Sequence, residues 1–188
     1  MDSFCPLNKE AWRDWLEVNH VTKDSIWLIF YKKKSPNPNL TWGEAVDEAL
    51  CFGWIDSVKK TIDNERYQQY FSKRKAKSTW SKVNKDKVDV LMKQDLIVEA
   101  GYKCIEVAKS NGSWTILDAI DALVVPEDLE QAFKTRKGSK EYFESLSKSA
   151  KKGLLYWVTV AKRTETRERR IEAVVENASK NLKPKQFR

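Results

Sequence analysis

The feature that most constrains the fold is the stretch Ala49–Ser57 (ALCFGWIDS), in which a single charge, Asp56, follows a run of bulky apolar side chains. Upstream, Thr41 and Glu44 have the spacing of a capping box, in which each side chain accepts a hydrogen bond from the backbone amide of the other. A helix is therefore expected to begin there. Gly53 suits the left-handed conformation that ends many helices, and the residues after it favour a strand. The sequence predicts a helix-to-strand junction at Gly53, with Asp56 just beyond it.

Hydrophobic patterning on both sides of this junction predicts a small sheet covered by helices. Apolar residues at helical spacing indicate a first helix over Lys9–Asn19. The segment Ser25–Tyr31 is apolar on both faces, which is typical of a central strand. Residues 54–62 and 65–74 favour two strands joined by a tight turn. We therefore expect an α+β fold whose small, mainly antiparallel or mixed sheet has at least three strands.

From residue 81 onward the pattern changes from strands to helices. The expected organisation is an α+β domain over residues 1–80 and a helical module over residues 81–188 packed on it. The last residues, 181–188, form a basic tail that is expected to be frayed. The helices of the module are expected to begin at side chains that accept hydrogen bonds from backbone amides. These predicted N-caps are Asn84, Ser139, Ser147 and Thr164.

Composition is that of a soluble globular protein with one domain, or one domain with a helical extension. Of the 188 residues 41% are apolar and 33% are charged, and there is no apolar run long enough to cross a bilayer. The N-terminus lacks the basic and apolar regions of a signal peptide, so a cytoplasmic location is expected. Three cysteines without a C-x-x-C pair and a single histidine suggest neither a disulfide framework nor a metal site, and no cofactor is expected.

Positive charge is concentrated in one part of the sequence. The net charge is +8, and residues 59–87 contain ten Lys/Arg against three acidic residues. Such an excess favours an anionic partner. Five lysines lie among aromatic residues in a pattern that would suit nucleic acid; they are Lys73, Lys75, Lys77, Lys82 and Lys85. No nucleic-acid motif accompanies them, so a solvated strand end and loop is the favoured interpretation.

Several blocks, spread over nearly the whole chain, share the pattern of one family. They are Trp12–Leu16 with Asn19-His20, Ile26–Leu28, Ala45–Asp56, Arg74 with Ser78–Asn84, and Ala161–Arg167 with Arg169–Ile171. In these blocks the chain resembles the bacterial YdeI/OmpD-associated family, also labelled bacteriocin-protection proteins. Lys73 and Thr164 depart from the pattern, which usually has proline at both positions. The resemblance implies protection against bacteriocins or cationic peptides and an envelope association, with which the missing signal peptide disagrees. The resemblance assigns no catalytic residues to this chain.

The candidate site combines two of those blocks. Trp54 and Asp56 share one face of their strand, which would place a carboxylate beside an aromatic wall. Arg74 offers a planar fork for a carboxylate or phosphate, Trp80 a stacking face, and the helix start at Asn84 a group of amides for an anion. The alternative is structural: Asn84 is only a cap, Trp80 only core, and Arg74 the ion-pair partner of Asp56. The predicted ligand-binding residues are Trp54, Asp56, Arg74, Trp80, Ser81 and Asn84.

These features favour a non-catalytic protein that binds a small anionic molecule or an acidic partner, or that protects against stress. Two alternatives stay open. One is nucleic-acid binding through the basic segment, and the other is an enzyme that uses Asp56 as a general acid or base. Asp47 and Glu48 on the preceding helix could add carboxylates to such a site, although a solvated helix surface is the favoured place for them.

Overall fold

The first half of the chain contains both strands and helices, and only helical elements follow among the described residues. The computed structural model describes residues 2–36 and 38–187. The strands are β1 (Ser3–Phe4), β2 (Ser25–Tyr31), β3 (Trp54–Thr61) and β4 (Arg66–Lys73). The helices are α1 (Lys9–Asn19), α2 (Trp42–Cys51), α3 (Lys82–Lys93), α4 (Glu99–Ser110), α5 (Ile116–Asp121), α6 (Glu127–Phe133), α7 (Ser139–Ser145), α8 (Lys148–Thr159) and α9 (Thr164–Ala178). A 3₁₀ turn, Lys185–Phe187, follows α9.

The described residues form one mixed sheet with the strand order β1-β2-β4-β3. β1 pairs with β2 in parallel, and the other pairs are antiparallel. On β4, Phe71 lies opposite Ile26 of β2 on one side and opposite Asp56 of β3 on the other. The pairing of β3 with β4 is irregular between Asp56 and Lys59. This sheet, with helices between and after its strands, confirms the predicted α+β class.

The core of the first compact unit, Met1–Trp114, lies between the sheet and helices α1 to α4. Trp12 of α1 is fully buried, donates from its indole nitrogen to the carbonyl of Ala45, and packs edge-on against Phe71. Val88 of α3 and Ile105 of α4 belong to the same core. This unit therefore continues past residue 80, where the hydrophobic pattern of the sequence changes.

Two of the five predicted helix N-caps, Thr41 and Ser147, are confirmed, and the other three differ from prediction. Both hydrogen bonds of the Thr41–Glu44 capping box are present, and Ser147 caps α8 as predicted. The N-cap of α3 is Ser81 rather than Asn84, because the Ser81 hydroxyl already accepts the Asn84 amide at 3.3 Å and begins the helix three residues earlier. In the other two cases the predicted cap is itself the first helical residue. Gly138 precedes Ser139 with a positive φ, and Arg163 precedes Thr164.

The second compact unit, Thr115–Arg188, contains α5 to α9 around a core of its own. Leu155, Val158 and Val175 are fully or almost fully buried in it. Near the chain end Phe187 packs edge-on against Trp157, with ring centroids 5.6 Å apart. This part of the predicted tail therefore has a defined packing partner.

Candidate binding cavity

A cavity of about 500 Å³ lies in the first unit, where the C-terminal end of α2 meets α4 and the last residues of β4. Its walls are mainly apolar and include Phe52, Ala100 and Val107. Basic side chains also line it, and among the described lining residues there is no Asp or Glu. Its volume lies within the roughly 300–1,000 Å³ typical of small-molecule sites.

The junction predicted at Gly53 builds one side of this cavity. Gly53 has φ +72°, and a Cβ there would lie 3.0 Å from the carbonyl oxygen of Ala100. The turn lets the Gly53 carbonyl accept the Arg74 amide at 2.9 Å, while the Cys51 carbonyl accepts the amide of Val98. The left-handed turn thus ties the end of α2 to the end of β4 and to the residues before α4, which places Arg74 at the cavity.

Arg74 is the only arginine among the described lining residues, and its surroundings leave it partly unsatisfied. The guanidinium carbon lies 3.7 Å from the ring centroid of Trp80, and Nη1 donates to the Thr79 carbonyl at 3.1 Å. Nε is buried and has no acceptor among the described residues. Burial lowers the pKa of Arg74 to about 10, because desolvation disfavours the charged form.

Trp54 brings a second buried donor to the same cavity. The side chain is fully buried and packs edge-on against Trp15, with centroids 5.9 Å apart. Its indole Nε1 also lacks an acceptor within the described part of the chain. Because most buried polar groups in proteins find a hydrogen-bond partner, two unpaired donors at one cavity require an explanation.

The remaining polar groups at the cavity are basic or weakly reactive. Lys73 donates to the Val21 carbonyl and to Asp24, and Lys103 lines the wall from α4. The His20 ring lies against Phe52, and its Nδ1 is 2.8 Å from the Leu16 carbonyl oxygen. Since a carbonyl can only accept, Nδ1 carries the proton. Burial raises the pKa of the Cys104 thiol, which keeps it protonated.

Asp56 lies away from this cavity, and the ion pair suggested for it is not formed. Its Oδ2 accepts hydrogen bonds from the indole nitrogen of Trp42 and from the Gln69 amide, each at 2.9 Å. Gln69 also donates to the Ser57 carbonyl. No ion pair joins Asp56 and Arg74 in the described structure, because Asp56 is satisfied by these neutral donors. The aromatic neighbour of its carboxylate is Trp42, not Trp54.

Apart from Arg74, the described residues of the second predicted block support the cavity rather than line it. Trp80 is buried beneath Arg74 and packs against Trp114, with centroids 4.8 Å apart. Ser81 caps α3, and the amide of Asn84 is the group that it binds. Of the six predicted ligand-binding residues, Trp54 and Arg74 line the cavity and Trp80 contacts Arg74. Asp56, Ser81 and Asn84 are not among its described lining residues.

The five lysines proposed for nucleic acid have different surroundings. Lys73 and Lys82 form ion pairs with Asp24 and Asp86. Lys85 lies above the ring of Trp114 at 5.9 Å. Lys75 and Lys77 are exposed in the turn after β4. Part of the basic charge counted in the sequence is therefore balanced locally.

The acidic residues of α2 are placed differently from expectation. Glu48 is 1% exposed, accepts from Arg13 Nη1 at 2.8 Å and lies 3.6 Å from Lys9 Nζ. Asp47 pairs with Lys87 of α3. Both carboxylates line a second cavity of about 490 Å³, but their charges are met by these bases. The expectation of a solvated surface is thus wrong for Glu48.

Sequence reasoning missed several lining residues of the first cavity, namely His20, Phe52, Lys103 and Cys104. Phe52 lies in the apolar stretch Ala49–Ser57, directly before Gly53, so the sequence pattern that predicts the junction also indicates Phe52. Lys103 and Cys104 belong to a helix that is distant in the sequence, and only the close approach of α4 to Gly53 brings them there. No group of three or more His, Cys, Asp or Glu side chains suited to a metal ion occurs in residues 2–36 and 38–187.

Fold and cavity together define a small α+β protein with a basic, apolar-walled cavity beside its sheet, followed by a helical unit. Residues 4–104, more than half of the chain, match the family model described as Domain of unknown function (DUF8412), and the chain belongs to this family. Residues 122–181 match the model described as Bacteriocin-protection, YdeI or OmpD-Associated, which supports the resemblance seen in the C-terminal blocks. Searches of curated proteins and of solved structures found no match. No helix among the described residues is long and apolar enough to cross a membrane.

Proposed function

We propose that this protein binds a small organic anion in the cavity of the first unit and does so without catalysing a reaction. The observation that carries the proposal is the buried Nε of Arg74, which has no acceptor among the described residues although the cavity lies beside it. A buried charge without a partner is costly. A ligand that supplies the missing negative charge would explain why an arginine occupies this position.

The charges around the cavity support an anion over a cation. Lys73, Arg74 and Lys103 line it, and no carboxylate does so within the described residues. Burial lowers the pKa of Arg74 to about 10, and a bound anion would raise it again by stabilising the charged form. The apolar side chains of Phe52 and Val107 would pack against the carbon body of the ligand.

The chemistry of the lining residues supports binding rather than catalysis. Burial raises the pKa of the Cys104 thiol, whereas a nucleophilic cysteine needs a lowered pKa. The Nδ1 proton of His20 is directed to a backbone carbonyl rather than to a carboxylate. Asp56, the candidate acid or base, does not line this cavity. The described residues therefore supply an anchor for charge but no pair of a nucleophile and a base.

Calorimetric titration with benzoate and phenyl phosphate tests the proposal, with benzyl alcohol as the neutral probe of similar size. We expect saturable binding of at least one anion and none of the alcohol at about 1 mM. Arg74→Met should weaken the binding by at least about tenfold, because hydrogen bonds to a charged group contribute about 1.5–3 kcal/mol.

Arg66→Met is the matched control, since Arg66 begins the same strand and pairs with Asp63 outside the cavity. Circular dichroism of both variants would establish that they are folded. The proposal fails if neither anion binds to the wild-type protein, or if folded Arg74→Met binds as tightly as the wild type.

The match of residues 122–181 to a model described as Bacteriocin-protection, YdeI or OmpD-Associated supports a function related to bacteriocin protection. We propose that the bound anion serves tolerance of bacteriocins and that the protein acts in the cytoplasm. Cells that produce either the wild-type protein or Arg74→Met at equal abundance would be challenged with a bacteriocin, and survival would be counted. Equal survival of the two strains would separate the cavity from any protective role.

A further inference from the structure

We infer that the anion is a hydrophobic monocarboxylate, held side-on by Nε and Nη2 of Arg74. The inference rests on the proposed function and specifies the chemistry of its ligand. A guanidinium can bind a carboxylate through either of two forks, the end-on fork of Nη1 with Nη2 or the side-on fork of Nε with Nη2. The contacts of Arg74 determine which of these is open.

The protein already occupies the other positions around the guanidinium. Nη1 donates to the carbonyl of Thr79 at 3.1 Å, so a ligand in the end-on fork would have to share this nitrogen with the protein. Trp80 lies against one face, 3.7 Å from the guanidinium carbon. Nε is buried without an acceptor among the described residues, and Nη2, which also makes no hydrogen bond there, is reached by solvent. The side-on edge is thus the one whose two nitrogens both lack an acceptor among the described residues. Nη2 is at the surface, and a carboxylate would reach the buried Nε when the neighbouring side chains move apart.

The number of available donors favours a carboxylate over a phosphate. Two parallel N–H groups match the two oxygens of one carboxylate, and the unpaired indole N–H of Trp54 lines the same cavity. A phosphate ester has a further charged oxygen, and among the described lining residues Lys103 would be the remaining base to meet it, because Lys73 already binds Val21 and Asp24. Glu99 lines the adjoining groove and would repel a second negative charge.

Competing probes on the intact protein test this inference. Benzoate, phenyl phosphate and benzamide would be titrated while the Arg74 Nε–H resonance is followed by ¹⁵N NMR. We expect benzoate to bind about tenfold more tightly than phenyl phosphate. Benzoate should also move the Nε–H resonance downfield, as a hydrogen bond to that proton requires. Arg74→Lys retains the charge but loses the planar fork, so it should bind the two anions with nearly equal affinity.

The outcomes separate this inference from the proposed function. If phenyl phosphate binds as tightly as benzoate, or if benzoate leaves the Nε–H resonance unmoved, the carboxylate inference is overturned while anion binding stands. If no anion binds, or if benzamide binds as tightly as benzoate, both fail. The NMR readout uses the wild-type protein, so it decides the matter even if Arg74→Lys does not fold.

Discussion

Two charged side chains in the interior of the first unit have opposite surroundings. Glu48 accepts a hydrogen bond from Arg13 at 2.8 Å and lies 3.6 Å from Lys9. The Arg74 guanidinium donates to a carbonyl, lies against an aromatic ring and forms no ion pair within the described structure, and its Nε is unpaired there. A buried charge that is paired and hydrogen-bonded is satisfied, whereas an unpaired one destabilises the fold. We therefore assign Glu48 to the stability of the protein and Arg74 to binding.

Glu48→Ala should lower the free energy of unfolding by about 3 kcal/mol, because it breaks a buried ion pair. This value is the lower end of the usual range, since the partner Arg13 remains partly solvated. Urea denaturation followed by circular dichroism would measure the change. Glu17→Ala is the matched control, since it removes the exposed partner of the same Arg13 from a helix surface. We expect that change to stay within about 0.5 kcal/mol. Equal effects of the two variants would contradict the assignment of Glu48.

The sequence predicted the contacts of individual side chains well only where the two partners are close in the chain. Thr41 and Glu44 are three residues apart, and their capping box is present. Glu48 lies three residues after the buried Ala45, so helical spacing could have indicated burial, but its charge argued for solvent. Its partner Arg13 is 35 residues away, and no local pattern encodes that contact. The same limit explains why Asp56 was assigned to Arg74 rather than to Trp42.

At the level of helices and strands, the cavity depends on the close approach of α4 to the end of α2. Gly101 permits this approach, because a Cβ at that position would lie 2.3 Å from the Cys51 carbonyl oxygen and 2.7 Å from Ile97 Cγ2. The same carbonyl accepts the amide of Val98. Gly101 also lies beside Ala100, a lining residue of the cavity. Helix packing and site geometry are therefore coupled here.

Gly101→Ala should lower the free energy of unfolding by about 2 kcal/mol, since overpacking costs typically 1–3 kcal/mol and the gain in helix propensity offsets part of it. It should also weaken benzoate binding, because α4 must shift away from Gly53. Gly43→Ala in α2 is the control: its Cβ would lie 3.8 Å from Thr41 Oγ1, an ordinary contact. We expect that variant to be as stable as the wild type or slightly more stable. Unfolding midpoints and one titration for each variant would measure both effects.

Elements with strong periodicity were predicted closely, and short ones were missed. The bounds of α1 and β2 agree with the sequence prediction. β1 has two residues and exists through its parallel pairing with β2, so it has no pattern of its own. α5 has six residues and no side-chain N-cap bond, and it too was missed. Short elements are stabilised by tertiary contacts, which a local pattern does not contain.

For the molecule as a whole, the main organising fact is that each compact unit has its own hydrophobic core. The first core contains side chains from the sheet and α1 to α4, such as Leu28 and Val88. The second contains side chains from α5 to α9, such as Leu155 and Val174. The two family matches follow the same division, since one covers residues 4–104 and the other residues 122–181. The ligand site proposed above lies within the first unit.

Separate cores predict that the two units lose stability separately. Leu155 is fully buried, so Leu155→Ala should cost about 2–5 kcal/mol through lost apolar burial and the cavity that remains. Native-state hydrogen exchange would locate the loss. We expect faster exchange at second-unit amides such as Val158 and Val174 and unchanged exchange at first-unit amides such as Phe71. Leu28→Ala is the reciprocal control and should show the opposite distribution. If either substitution accelerated exchange equally in both units, the two cores would unfold as one cooperative structure.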